Sequence, residues 1–290
     1  MKVAVLGIGL LGAEIALRLQ QQGHEVIGVN RGCERPRFDA VRQRGLTVTA
    51  DTAAAVANAE FILLLLSDAA AIQEMLFASA TPIELRKRLV VQMGTIAPAE
   101  SRALAAQIAA LGGAYVEAPV LGSLPEARAG TLIVMAGGAG ELFARCQPLL
   151  TALSPHPQHI GAVGQASALK LAMNQLIAGL TATFALSLGL VRHEGIAVEQ
   201  FMALLRSSAL YAPTFDKKLD NYLTHDYSGA NFPLKHLHKD VRLFQQVAAE
   251  SGLDSSVLAA IAAGCVRAES AGCADQDYSV LYEALTNNDH

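Results

Sequence analysis

Over the first half of the chain, short apolar runs alternate with stretches in which apolar residues recur every three or four positions. KVAVLG, HEVIGVNR, LTVTA, EFILLLL, RLVVQMG, AYVEAP and TLIVMAGG read as strands. Between them LLGAEIALRLQQQG, DTAAAVANA, DAAAIQEML, APAESRALAAQIAALG and GELFARCQPLLTAL carry the helical period. Strands apolar on both faces and separated by helices predict an α/β fold built on a doubly wound, mainly parallel sheet.

From about residue 164 the alternation stops. Helical patterns cover 165–193, 197–207, 234–250, 255–270 and 278–286, while 208–215 reads as a loop. The Pro and Gly punctuation of HPQHIGAVGQ places a domain boundary near Gly161–Gly164, so an α/β domain is expected over 1–162 and an all-α domain over 163–290. Residues 171–191 are uncharged and long enough to cross a bilayer. Asn174, Gln175, Thr181, Thr183 and Ser187 make that span a poor one, and a core or subunit-interface helix fits better.

Composition narrows the function classes. A chain of 290 residues, 52% hydrophobic and 17% charged, can bury two cores and is no disordered segment. Its net charge of −4, without a long basic run, argues against a nucleic-acid partner. The start, MKVAVLGIGLLG, puts one lysine ahead of an apolar run as a signal peptide would. Its three spaced glycines and the lack of a small-residue cleavage site argue against that reading. The cysteines at 33, 146, 265 and 273 form no CxxC pair, which suits a reducing cytoplasm.

Chemistry begins at G-I-G-L-L-G, which follows the first strand and opens the first helix. The first glycine permits a tight turn, the second lets backbone approach a pyrophosphate, and the third lets helix and strand pack closely. The helix N-terminus then offers N–H groups to the phosphates. Gly7, Ile8, Gly9, Leu10, Leu11 and Gly12 are therefore the candidate dinucleotide turn of a Rossmann-type domain. At the end of the second strand an NAD site usually presents an acid to the ribose 2′-hydroxyl, whereas this chain presents Asn30 and Arg31. A guanidinium there pairs with a 2′-phosphate, so the expected cofactor is NADP(H). Arg35 and Arg37 read as surface residues.

A second candidate is GQASALKLAMNQLIAG, in which Lys170 is the sole charge before Arg192. Four residues apart on a helix, Lys170 and Asn174 share one face. Burial disfavours an ammonium and moves a lysine towards proton exchange near neutral pH. A carbonyl under hydride attack needs such a donor, and asparagine can orient it or hold the substrate. Taken alone, Lys170 would more commonly be a lysine that snorkels from a helix start. His156 with His159, and His236 with His238, have no metal-site spacing and read as solvent-facing; no metal is expected. Tyr211 and Tyr222 read as packing residues.

Together GIGLLG…GHEVIGVNR, EAPVLGSLPEARAGTLIVMAGG, GAVGQASALKLAMNQL and FPLKHLHKDVRL resemble the β-hydroxyacid dehydrogenases, over nearly the whole chain. Asn30-Arg31, Gly122-Ser123 and FPLKHLHKDVRL are most similar to the branch of NADPH-dependent glyoxylate and succinic semialdehyde reductases. The resemblance implies that Lys170 is the catalytic lysine and Asn174 its helix partner. It puts Thr95 between nicotinamide and substrate, with Gly94 in place of the usual serine. Gly122 and Ser123 fall in the substrate segment, which normally reads Asp-Ala-Pro-Val-Ser-Gly-Gly. Here it reads Glu117 to Ser123, and Leu121 replaces a hydroxyl, leaving carboxylate recognition to Ser123 and backbone N–H groups. Leu66 and Ser67, ending the fourth strand, pass the nicotinamide ribose; Phe232 lines the nicotinamide end, and Lys239-Asp240 lie near the cofactor.

The expectation is a reductase passing hydride from NADPH to a small aldehyde acid, Lys170 protonating the oxygen at a site at the domain junction. A homodimer or homotetramer is expected, the long uncharged helix packing against a partner. Three alternatives remain open: a 3-hydroxyisobutyrate-type dehydrogenase using NAD(P), an imine reductase, and a nucleotide-binding module without turnover. Imine reductases generally lack this lysine.

Overall fold

The computed structural model describes residues 1–32, 38–78 and 81–286; Cys33, Arg35 and Arg37 lie outside the described residues. The chain divides into two compact units, Met1–Leu171 and Ala172–His290.

The first unit carries β1 (Lys2–Leu6), α1 (Leu10–Gln21), β2 (Glu25–Val29), α2 (Asp39–Gln43), β3 (Thr47–Thr49), α3 (Thr52–Ala57), β4 (Phe61–Leu64) and α4 (Ala69–Leu76). It continues with β5 (Leu89–Gln92), α5 (Pro98–Ala110), β6 (Ala114–Glu117), β7 (Val120–Leu121), α6 (Leu124–Ala129), β8 (Ile133–Gly137), α7 (Gly140–Thr151) and β9 (Gln158–Gly161). The sheet order is β3-β2-β1-β4-β5-β6-β8-β7, with β9 beside β8. Pairing is parallel from β3 through β6. It turns antiparallel at β6/β8 and β7/β8, and β9 runs parallel to β8. The order reverses between β1 and β4, the switch point where open α/β sheets bind ligands beyond their carboxyl ends.

Strands buried on both faces need a core on each side. One gathers Val3, Val5, Leu63 and Val91 with Ile15 and Leu19 of α1; the other gathers Ala4, Leu6, Ile62, Leu64 and Val90 with Ile72 of α4 and Leu104 of α5. The apolar runs were legible, but β7, α6 and β9 were not. β7 has two residues, α6 has six, and β9 forms inside the very Pro/Gly stretch that reads as punctuation.

Glu14 holds α1 in place. It is 6% exposed and accepts from Arg44 (Nη1 and Nη2, each 2.8 Å) and Arg128 (Nη2, 3.1 Å). Those bonds, led by the one from Arg44, depress its pKa from 4.5 to about 2. A depressed carboxylate contributes stability that is complete above the unfolded value and lost as pH falls through the folded one. The stability gap between wild type and Glu14→Gln should therefore hold at pH above 4.5 and close as pH falls towards about 2, as urea unfolding at stepped pH would show. A gap independent of pH would contradict this.

The second unit is helical. The long helix α8 (Gln165–His193) runs through the division of the units, and is followed by α9 (Val198–Arg206), α10 (Pro213–Thr224), α11 (Leu234–Glu250), α12 (Ser256–Ser270), a 3₁₀ turn at Tyr278–Val280 and α13 (Leu281–Thr286). α8 is long and apolar enough to cross a membrane by length and composition. Its Ala178, Ala182, Phe184, Ala185 and Leu188, however, are core residues of this unit. Phe184 stacks on Phe215 of α10, centroids 4.5 Å apart, and Tyr222 tilts against it at 5.7 Å.

Helix α10 corrects the reading of 208–215 as loop, since the helix opens at Pro213. Its sequence hides the period because Lys218 is buried. Lys218 Nζ lies 2.7 Å from Asp277 Oδ2 and 4.8 Å from the centre of the Tyr278 ring, which compensates the charge that a pattern of apolar positions would place outside.

Candidate active site

The turn after β1 has the geometry its glycines imply. Gly7 has φ +104°, and a Cβ there would meet the Leu65 carbonyl oxygen at 2.4 Å. A Cβ on Gly12 would meet the Gly7 carbonyl oxygen at 2.0 Å. Gly9 differs: it has φ −85°, and a Cβ would have nothing within 4 Å. The fold itself places no demand for glycine there, which fits a position kept bare for a ligand's close approach. Gly9 is the N-cap of α1, no side chain caps that end, and no acid stands in the first turn, so its N–H groups suit an anionic pyrophosphate. Leu10 is 55% exposed beside it and Leu11 is half-buried. Ile8 points inward, where a Cβ on Gly28 of β2 would strike it, so Ile8 could serve a ligand through backbone alone.

At the end of β2, Asn30 Oδ1 accepts from the Gly32 N–H (3.1 Å), shaping the bend that presents Arg31. The Arg31 guanidinium pairs with Glu74 of α4, both side chains more than half exposed. β4 stops at Leu64, earlier than the run of leucines suggests, and Leu65–Ser67 form the loop beyond it. Ser67 Oγ donates to Asp68, which caps α4 by accepting from Ala71 N–H (2.8 Å). Thr95, half-buried, follows β5. A Cβ at Gly94 would meet the Leu66 carbonyl oxygen at 2.6 Å, so the loops after β4 and β5 approach too closely for the usual serine.

Gly122 sits at φ +121° after β7, where a Cβ would meet Leu132 at 2.7 Å. Ser123 donates to Glu126 Oε2 through both N–H (2.7 Å) and Oγ (2.9 Å). Its hydroxyl proton is thus engaged within the chain, and only its lone pairs are left for another donor.

One residue that the sequence reading placed at the head of the substrate segment, without giving it a role, is central. Glu117 ends β6, is 1% exposed, and its Oε1 accepts from the N–H groups of Gly164 (2.8 Å), Ala166 (2.8 Å) and Ser167 (3.2 Å). Its Oε2 accepts from Ser167 Oγ (2.7 Å) and from Ser101 Oγ, which in turn lies 2.8 Å from the Tyr115 hydroxyl. Burial pushes Tyr115 well above the ordinary tyrosine value, so it stays a donor. A carboxylate thus satisfies the first turn of α8, the helix that carries Lys170, from the strand that leads into Gly122-Ser123. The signal in the sequence was an acid at the end of an apolar strand, ahead of Ala-Pro. Glu117→Gln would turn an NH₂ towards these donors and is expected to lower unfolding free energy by about 2–4 kcal/mol. A loss under ~0.5 kcal/mol in urea titration, the level of a surface change, would contradict the anchoring role.

Lys170 is 9% exposed, on the first-unit part of α8. In the second unit Asn174 is 3% exposed; its Nδ2 donates to Asp240 Oδ2 (2.6 Å) and its Oδ1 has no partner among the described residues. Lys239 Nζ lies 2.8 Å from Asp240 Oδ1, an ion pair by distance rather than an aligned hydrogen bond. The pairing of residues 174 and 240 is invisible to sequence spacing. Phe232 meets Tyr278 edge-on (5.8 Å) and stacks on His236 (6.4 Å).

His156 and His159 are exposed as expected, whereas His236 and His238 are only partly so. Burial, then the charges of Lys235 and Lys239, push His236 below the ordinary histidine value. His238 Nδ1 lies 3.0 Å from Glu269. His159, exposed on β9, stacks on Phe143 and donates from Nε2 to the Gly138 carbonyl (2.8 Å). Among the described residues no three His, Cys, Asp or Glu side chains gather as a metal site would require.

A switch-point glycine turn fitted to a pyrophosphate, with a buried lysine in the same unit, defines an NAD(P)-dependent oxidoreductase. Residues 2–163 match the family described as the NAD binding domain of 6-phosphogluconate dehydrogenase, and residues 164–285 the one described as NAD-binding of NADP-dependent 3-hydroxyisobutyrate dehydrogenase. The chain belongs to the β-hydroxyacid dehydrogenase family and is an enzyme acting on a hydroxy- or keto-acid type of substrate. It is 28% identical to glyoxylate/succinic semialdehyde reductase 1 of Arabidopsis thaliana over 98% of both chains. The solved 3-hydroxyisobutyrate dehydrogenase of Mycobacterium tuberculosis superposes with TM-score 0.84 at 22% identity, covering 98% of this chain and 99% of that one. An imine reductase from Myxococcus stipitatus superposes with TM-score 0.66 at 20% identity, covering 98% of this chain and all of that one.

Proposed function

We propose that this chain exchanges hydride between NADP(H) and a small hydroxy acid of the 3-hydroxyisobutyrate type, or the matching aldehyde acid, with Lys170 giving and taking the proton. The observation that carries the reading is a lysine, 9% exposed, on a helix whose first turn is anchored by a buried carboxylate, in the unit that holds the glycine turn. When bound, the nicotinamide supplies or accepts the hydride. Gly7 to Gly12 and the N-terminus of α1 hold the pyrophosphate, Arg31 the 2′-phosphate, and Leu66, Ser67 and Thr95 flank the nicotinamide ribose. In reduction Lys170 Nζ protonates the nascent alkoxide; in oxidation it receives the hydroxyl proton. Asn174, held by Asp240, orients that exchange. Gly122, Ser123 and the backbone N–H groups beside them take the substrate carboxylate.

The sequence favours aldehyde-acid reduction, and the 28% relative over the whole chain supports it. The match of residues 164–285 to the NADP-dependent 3-hydroxyisobutyrate dehydrogenase model moves the dehydrogenase reading ahead. Lys170 weighs against imine reduction. We place the enzyme in the cytoplasm as a homodimer or homotetramer without nucleic acid. Leu176, Leu186 and Leu190, all more than half exposed on α8, support the oligomer.

The test is an initial-rate panel with NADPH and NADH against glyoxylate, succinic semialdehyde, methylmalonate semialdehyde and cyclic imines, with 3-hydroxyisobutyrate in the oxidative direction. Turnover of a hydroxy or aldehyde acid, faster with the phosphorylated cofactor, is the expected result. Turnover of imines alone, or a preference for NADH, would overturn the corresponding part.

A further inference from the structure

The ion pair at the end of β2 bears on cofactor choice. Arg31, the group assigned to the 2′-phosphate, is paired with Glu74, which stands on α4, the helix that follows the loop after β4. Both residues belong to the first unit. A phosphate dianion approaching Arg31 enters the space beside the Glu74 carboxylate, so it gains one attraction and one repulsion together. A nicotinamide dinucleotide with a plain 2′-hydroxyl brings no such charge and leaves the pair undisturbed. From this we infer that Glu74 is a specificity-determining residue: it competes with the 2′-phosphate for Arg31 and holds the preference for NADPH over NADH below what Arg31 alone would confer. The inference rests on the assignment of Arg31 in the proposed function.

Exposure sets the size of the effect. With 54% of the Arg31 side chain and 59% of the Glu74 side chain open to water, solvent and salt screen both terms. Removing one surface charge of this kind is expected to change affinity by up to about fivefold. The shift should shrink as salt is raised, because the repulsion it relieves is screened.

The experiment measures dissociation constants for NADPH and NADH, by the fluorescence of the bound reduced cofactor, in wild type, Glu74→Gln, Arg31→Ala and the double variant, so no substrate is needed. Glu74→Gln is expected to tighten NADPH roughly two- to fivefold while leaving NADH unchanged within error. Arg31→Ala should weaken NADPH selectively, and in its presence Glu74→Gln should do less, since there is no guanidinium left to compete for. If Arg31→Ala weakens NADPH but Glu74→Gln leaves it unchanged, or loosens it, the inference fails and the Arg31 assignment stands. If Arg31→Ala does not discriminate between the cofactors, the assignment itself fails and takes the inference with it. Equal tightening of both cofactors would make Glu74 a general electrostatic brake and would also overturn the claim.

Discussion

Lys170→Ala is expected to lower turnover of the best carbonyl or hydroxy acid by about 10²–10⁴-fold, the usual worth of a positioned proton donor. Cofactor affinity, which we propose is set in the glycine turn and at Arg31, should stay within about twofold. Lys170→Met serves as a second variant, filling the same buried volume without the ammonium. Lys170→Arg separates two roles that alanine conflates. A guanidinium retains positive charge but does not release its proton in proteins, so it can stabilise an alkoxide without protonating it. If proton transfer is the contribution, arginine loses nearly as much as alanine; if field alone matters, it recovers most of the rate. Wild-type turnover in Lys170→Ala would remove Lys170 from the mechanism altogether.

The second large effect is expected at Gly9, where stability and binding should move in opposite directions. The N-cap of α1 carries no capping side chain, and a Cβ there enters open space. Aspartate is among the best N-cap residues, and its charge suits the helix dipole, so Gly9→Asp should leave the ligand-free protein as stable as wild type or up to ~1 kcal/mol more so. In the proposed site the same carboxylate would stand in the path of the pyrophosphate. Placing like charges in contact costs several kcal/mol, so the dissociation constant for NADPH should rise by about 100-fold or more. Calorimetry of the ligand-free protein with a cofactor titration reads both. Gly12→Ala is the contrast: its Cβ would meet the Gly7 carbonyl oxygen at 2.0 Å, so it should lower ligand-free stability directly. Undiminished NADPH binding by Gly9→Asp would dismiss the glycine turn as the pyrophosphate site.

How much of this was legible depended on whether each feature was local. The strand and helix pattern of the first unit follows from apolar spacing, and the turn from three glycines at fixed intervals after a strand. Lys170 stood out because a lone charge in an apolar helix needs a reason. The boundary near 162 was read from punctuation; the family models meet at 163 and 164, while the compact units divide at Leu171, inside α8. A proline- and glycine-rich stretch marks where a chain bends, not where its contacts end, and Glu117 draws the first turn of α8 to the α/β unit.

From its amino acids alone, the chain was settled as an alternating α/β half with a dinucleotide turn, followed by a helical half with one conspicuous lysine, because periodicity and turn chemistry are encoded within a few neighbouring residues. Folding alone decided that Glu117 would anchor α8, that Asp240 would hold Asn174, that Lys218 could be buried against Asp277, and that Glu74 would face Arg31. Each joins groups 43 or more positions apart. Such partners are chosen by the packing of whole elements, and the burial that makes a charge pair matter exists only once those elements have met.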